Sequence, residues 1–231
     1  MESGASKTGL STVQLILVPA LISICVTILR VYGELHHWSP AWFDTGQRGT
    51  VPSGTTWVIG ITWLAAPFGV YFAFKLLRAG LGPKTYARAV GLSMLGVVVW
   101  LAASEIIRRW QPLSFPPILL LIWLAIVLGT LVAAPAWPSL FKVLLAYGFA
   151  SRIPSTIVYF LAMKGSWRTH YDYVGIDVAD AMSFWPKFLW LAFFPQLIFW
   201  VSFTVLVGLL LGSLSAFLLS LRKAERVPAQ S

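Results

Sequence analysis

Long apolar runs alternate with short polar breaks along almost the whole of this chain, and within each run the apolar residues are continuous. About 20 such residues make a helix that crosses ~30 Å of hydrocarbon at 1.5 Å per residue. Six runs have that length, at 10–31, 57–77, 89–107, 118–136, 140–163 and 196–218. The pattern predicts an all-α polytopic protein, a bundle of about six transmembrane helices forming one transmembrane domain over 1–231. Membrane barrel strands are excluded, because they run ~10 residues with apolar and polar positions alternating.

The breaks refine this picture. Pro19 lies inside the first run and predicts a kink. Pro116 and Pro117 suit the first turn of the fourth helix, where a missing N–H has no partner to lose. The turn APAWPS is so short that the fourth and fifth helices should be antiparallel neighbours. The last apolar stretch, 187–221, would be about 50 Å long as one helix. Pro195 is therefore expected to divide it into a tilted or interfacial part and a spanning part. Gly208, Gly212 and Ala216 recur every four residues and predict a close helix contact inside the bundle. Two longer polar segments remain, at 34–55 and 164–186, both carrying several aromatic rings. They are expected to fold as semi-buried caps over one mouth of the bundle.

Composition agrees with a membrane solvent. The chain is 58% hydrophobic and 11% charged, against about 25% charged in soluble domains. No polar stretch reaches the ~50 residues that a separate soluble core needs. The net charge of +9 comes from basic residues spread between the runs, which argues against nucleic acid as a partner. Such a surplus is usual in cytoplasmic loops. Placing both termini inside puts nine lysines and arginines there against six on the other side. This predicts an integral protein of the plasma (inner) membrane with cytoplasmic termini, and with 34–55 and 164–186 extracytoplasmic. The run at 10–31 is read as a retained first span, since no small-residue cleavage site follows it. The single cysteine, Cys25, lies in that run and cannot form an intrachain disulfide.

Candidate chemistry gathers on the extracytoplasmic side. Glu34, Asp44, Asp172, Asp177 and Asp180 fall there, with His36, His37 and His170. Imidazole and carboxylate suit zinc, iron or manganese, so His36, His37 and His170 are candidate metal ligands. Neither an HExxH nor a paired-cysteine spacing accompanies them. The plainer reading is that they solvate helix ends beside an aromatic belt. Arg152 is a second candidate, because a charge near mid-span is costly and normally faces the bundle interior with a partner. Glu105 is the natural partner by elimination, and Pro154 could open the helix to offer carbonyls instead. Arg152 is either an anion or headgroup site or a structural pin. Arg30 and Glu34 are spaced for an i,i+4 pair worth a few tenths of a kcal/mol. Gln14 and Gln196 could hydrogen-bond between helices.

Other chemistries find little support. The chain has no GxSxG, P-loop or dinucleotide fingerprint. In WRTHYD, at 167–172, adjacent Thr, His and Asp point in different directions and make no triad. Histidines in loops are poorly placed for haem. The sequence assigns no cofactor. The leading expectation is a non-enzymatic multi-pass protein that binds or moves a lipid or small solute, or serves as an accessory subunit. It would act through its cap and the Arg152 region, with the lipid bilayer and partner subunits as its contacts. The alternative is a metal-dependent membrane enzyme acting at the extracytoplasmic surface.

Overall fold

A computed structural model describes residues 11–45, 56–110, 115–173, 179 and 181–225. Helices α1 (Thr12–Leu35), α2 (Ala65–Arg78), α3 (Tyr86–Arg109), α4 (Pro117–Ala133) and α5 (Pro138–Gly165) follow in order. The last helix, α6, starts at Phe184–Phe188, widens into π-helical turns over Leu189–Phe193 and Pro195–Trp200, and continues as Val201–Glu225. No strand occurs among the described residues. Five helices are long and apolar enough to cross a membrane: Thr12–Leu35, Tyr86–Arg109, Pro117–Ala136, Pro138–Gly165 and Phe184–Arg222. The chain is an all-α polytopic membrane protein, as its apolar runs predict.

The second run is where pattern and structure part. Its helix α2 has 14 residues, about 21 Å, which is short of the ~30 Å hydrocarbon thickness. Before it come a 3₁₀ turn, Thr56–Ile59, and an irregular segment at 60–64. Pro67 explains the break. In the first turn of α2 its missing N–H costs nothing, but in a helix extended upstream its ring would meet the Trp63 carbonyl.

Two contacts fix the topology. Trp137 Nε1 donates to the Leu81 carbonyl at 2.7 Å, joining the α2–α3 turn to the α4–α5 turn. At the opposite end, His170 in the connection after α5 is bonded to Glu34 in the last turn of α1. Among the described residues the six helices thus alternate in direction along the bundle, five of them long and apolar enough to cross a membrane and α2 shorter.

Pro195 does not divide the last stretch. The helix passes through it by widening to π turns, which absorbs the missing N–H without ending the helix. Pro154 is likewise contained within an unbroken α5.

The bundle's centre is built from Phe72, Leu76, Leu140, Leu144, Leu206 and Leu209, all fully buried. Small residues let the backbones approach, as close packing in lipid requires. A Cβ on Gly69 would stand 2.5 Å from the Gly208 Cα, and one on Gly212 would stand 2.9 Å from the Gly69 carbonyl. The Gly208, Gly212 and Ala216 face is therefore an internal contact, as its spacing predicts. Leucines and valines of α1, α3 and α4, such as Leu17, Val98 and Leu128, point outward.

Candidate functional site

The site is built at the end of the bundle marked by His170. Arg30 and Glu34 sit one turn apart on α1, and Arg30 Nε donates to Glu34 Oε1 at 2.8 Å. The pair expected from spacing is present, but its setting is not that of a surface pair. The Glu34 side chain is 0% exposed and takes further partners. Its Oε2 accepts the His170 backbone N–H at 2.9 Å, and its Oε1 lies against His170 Nδ1. A residue 136 positions away in sequence is thereby pinned to α1.

Local chain geometry presents that histidine. Helix α5 ends at Gly165, and Ser166 and Arg168 adopt left-handed φ values of 50° and 58°. The Asp172 carboxylate then accepts the Arg168 and Thr169 backbone N–H groups at 2.9 and 2.6 Å, and the Thr169 hydroxyl at 2.9 Å. This tight turn points His170 inward, where its ring meets Tyr171 at 3.8 Å and Tyr159 at 6.2 Å between centroids. Burial pushes the His170 imidazole below its ordinary range, against an opposing pull from Glu34. In its neutral form the ring donates Nδ1–H to a carboxylate that also accepts from Arg30. Burial also raises the Tyr171 phenol.

Beneath this pinned turn lies a cavity of about 220 Å³. Its walls come from α1 (Thr27, Arg30), the broken second pass (Gly60, Thr62), α5 (Arg152, Tyr159), the turn itself, and the π-helical part of α6 (Gln196, Trp200). Both departures from regular helix therefore border it. Irregular backbone at membrane depth is tolerated where it lines such a space.

Arg152 is the central group. It is 4% exposed. Its Nη1 donates to Gln196 Oε1 at 3.2 Å and its Nη2 to Thr62 Oγ1 at 3.3 Å, while its Cζ stands 5.1 Å from the centre of the Trp200 ring. Its Nε is buried with no hydrogen-bond partner. Among the described residues no carboxylate lies within ion-pair distance of it. The sequence pattern that carries this face is a polar stripe on α5. Arg152, Ser155, Thr156 and Tyr159 share one side at helical spacing, and Thr156 Oγ1 bonds the Arg152 carbonyl at 2.8 Å.

The remaining expectations fare differently. Glu105 is not the partner of Arg152. It lies exposed near the end of α3 and binds Arg108 and Arg109, one turn away, at 2.6–2.9 Å. Those partners are within reach at no packing cost, whereas Arg152 faces another part of the bundle. Pro154 frees no carbonyl for Arg152, whose side chain is met by Gln196 and Thr62 instead. Of the histidines only His170 reaches the cavity. His36 is exposed and packs on Tyr32 at 4.1 Å between rings. His37 takes a left-handed φ of 51° and borders a separate recess with Glu34 and Asp44. Asp172 is engaged by the turn. No group of three or more His, Cys, Asp or Glu side chains is placed to share a metal among the described residues. Asp177, Asp180 and Arg48, with the rest of 46–55 and 174–178, lie outside the described residues. Gln196, Thr62, Trp200 and Tyr159 join Arg152 and Arg30 around the cavity. Comparison with protein-family models, with curated proteins and with solved structures returned no match.

Proposed function

We propose that this protein binds a small polar ligand or a lipid headgroup, without chemical conversion, in the Arg152 cavity at the extracytoplasmic end of its bundle. One observation carries the reading. A nearly fully buried arginine borders a cavity, its Nε has no partner, and no described carboxylate balances it. A structural pin would be expected to have a paired counter-charge, since an unpaired buried charge is costly. The cavity exceeds the ~10–15 Å³ that one water requires and falls below the ~300–1,000 Å³ usual for drug-sized ligands. That size suits a headgroup or a small solute. The side assignment rests on the distribution of basic residues, nine to six in favour of cytoplasmic termini in a plasma (inner) membrane. Transport and accessory-subunit roles both include this binding step. A metal-dependent enzyme has no converged donor set to rest on among the described residues.

The test is native mass spectrometry of gently solubilised protein. Wild type should carry a bound small molecule or lipid that an Arg152→Gln variant of normal fold loses. Equal cargo in the two proteins would remove the cavity from consideration.

A further inference from the structure

The charges around the cavity restrict what it takes. Five charged or titratable side chains line it among the described residues: Arg30, Arg152, His170 and the phenols Tyr159 and Tyr171, which carry no charge at neutral pH. Arg30 is balanced by Glu34, to which its Nε is bonded. His170 gives its Nδ1 to that same carboxylate, so the trio of Arg30, Glu34 and His170 closes with no net charge when the ring is neutral. Arg152 remains. Its contacts are the amide of Gln196, the hydroxyl of Thr62 and the face of Trp200, none of which carries charge. Among the described residues, and with His170 neutral, the cavity therefore holds one uncompensated positive charge, in surroundings that screen it poorly.

We infer that the occupant presents a singly charged oxyanion, a carboxylate or a phosphodiester, to the guanidinium of Arg152. This rests on the cavity being a binding site, as proposed above. The guanidinium is suited to such a group, because its planar donors match the paired oxygens of carboxylates and phosphates. Its Nε is the donor left open. One negative charge restores neutrality, whereas a dianion would leave an unpaired charge of opposite sign. A carboxylate would come from a free solute. A phosphodiester would come from a phospholipid, whose chains could lie against the apolar helix faces.

The experiment uses purified full-length protein at matched ionic strength and reads binding by thermal shift. Acetate and dimethyl phosphate are the monoanion probes, acetamide the neutral one and sulfate the dianion. At least one monoanion should bind wild type tenfold or more tightly than acetamide, and more tightly than sulfate. Arg152→Met should lose that advantage, while Arg152→Lys should keep part of it. A second arm identifies the source. Phosphatidylglycerol retained in native mass spectra and displaced by dimethyl phosphate would mark a lipid. Acetate binding to delipidated protein, unaffected by added phosphatidylglycerol, would mark a free solute. Acetamide equal to acetate, or sulfate tighter than either monoanion, would overturn the charge assignment and leave the cavity as a binding site. No response to any probe together with no retained molecule would overturn both. The wild-type series decides the matter even if an Arg152 variant fails to fold.

Discussion

Replacing Arg152 with methionine separates a ligand-binding arginine from a structural one, because the two roles predict opposite changes in the stability of the empty protein. Methionine has similar length and no charge. The substitution removes hydrogen bonds at 3.2 and 3.3 Å, both at or beyond the long end of the usual range, and a Trp200 contact at 5.1 Å. Gln196 and Thr62 would then face a cavity large enough for water, which can replace the lost donor. On the other side stands the cost of holding a guanidinium at membrane depth with no carboxylate at ion-pair distance among the described residues. Insertion measurements put that near 2.5–3.5 kcal/mol, and replacing buried charges by apolar groups is neutral or stabilising by about 1–4 kcal/mol. The expected outcome is a ligand-free variant as stable as wild type or up to about 3 kcal/mol more so. Reversible unfolding in mixed micelles, after exhaustive removal of bound molecules, measures this. Ligand must be removed because at 100 times Kd it would stabilise wild type by about 2.7 kcal/mol and mask the effect. A loss of about 3–5 kcal/mol in the empty variant is what a structural pin predicts, and it would refute the reasoning.

Other substitutions probe the parts around it. In Glu34→Gln the amide must turn its NH₂ towards the His170 backbone N–H or towards Arg30 and the imidazole. It should therefore cost about 2–3 kcal/mol and raise hydrogen exchange of the 168–172 turn some 30- to 150-fold; unchanged exchange would count against the pin. The folded His170 value lies below the ordinary 6.5, so the unfolded chain takes up the proton first on acidification. Stability should be flat above about pH 7.5 and fall by at most ~1.4 kcal/mol per pH unit from about 6.5 down to the folded value. His170→Gln should lack that component, and a rise in stability on acidification would contradict the sign. Gly69→Ala places a methyl group 2.5 Å from the Gly208 Cα, where backbone cannot yield. The expected loss is about 1–3 kcal/mol in the same unfolding assay.

Much of the architecture could be read from hydropathy because lipid imposes one rule on every crossing segment, that its backbone bonds close within itself. The rule counts apolar residues and is blind to local backbone. Residues 57–77 satisfy it, yet Pro67 stops α2 from extending upstream. That proline stands ten residues into the run. Pro195 is equally visible but does not divide the last stretch, since a helix can widen around a proline as well as end at it. Arg152 was identifiable from depth alone. Its surroundings were not, because sequence does not say which helix faces which. Glu105 is the acid lying within a predicted span, but it has two arginines within one turn of its own helix. The stripe from Arg152 to Tyr159 was the local signal that a polar face was being assembled. The Glu34–His170 pin joins residues 136 apart and leaves no trace in either neighbourhood. The Asp172 turn, by contrast, is closed within four residues.

The broken second pass and the pinned turn border the cavity that holds Arg152, and the proposed binding site requires access to it from the His170 end of the bundle. Cys25 is the only cysteine, and it is exposed on α1, so a Cys25→Ser background is available for labelling. Thr62→Cys in that background places a thiol on the cavity wall. A membrane-impermeant thiol reagent added to intact cells should label it, and the labelling should slow when a binding monoanion is present. A thiol at this position that reacts from neither side of the membrane, in protein that is folded, would contradict the account.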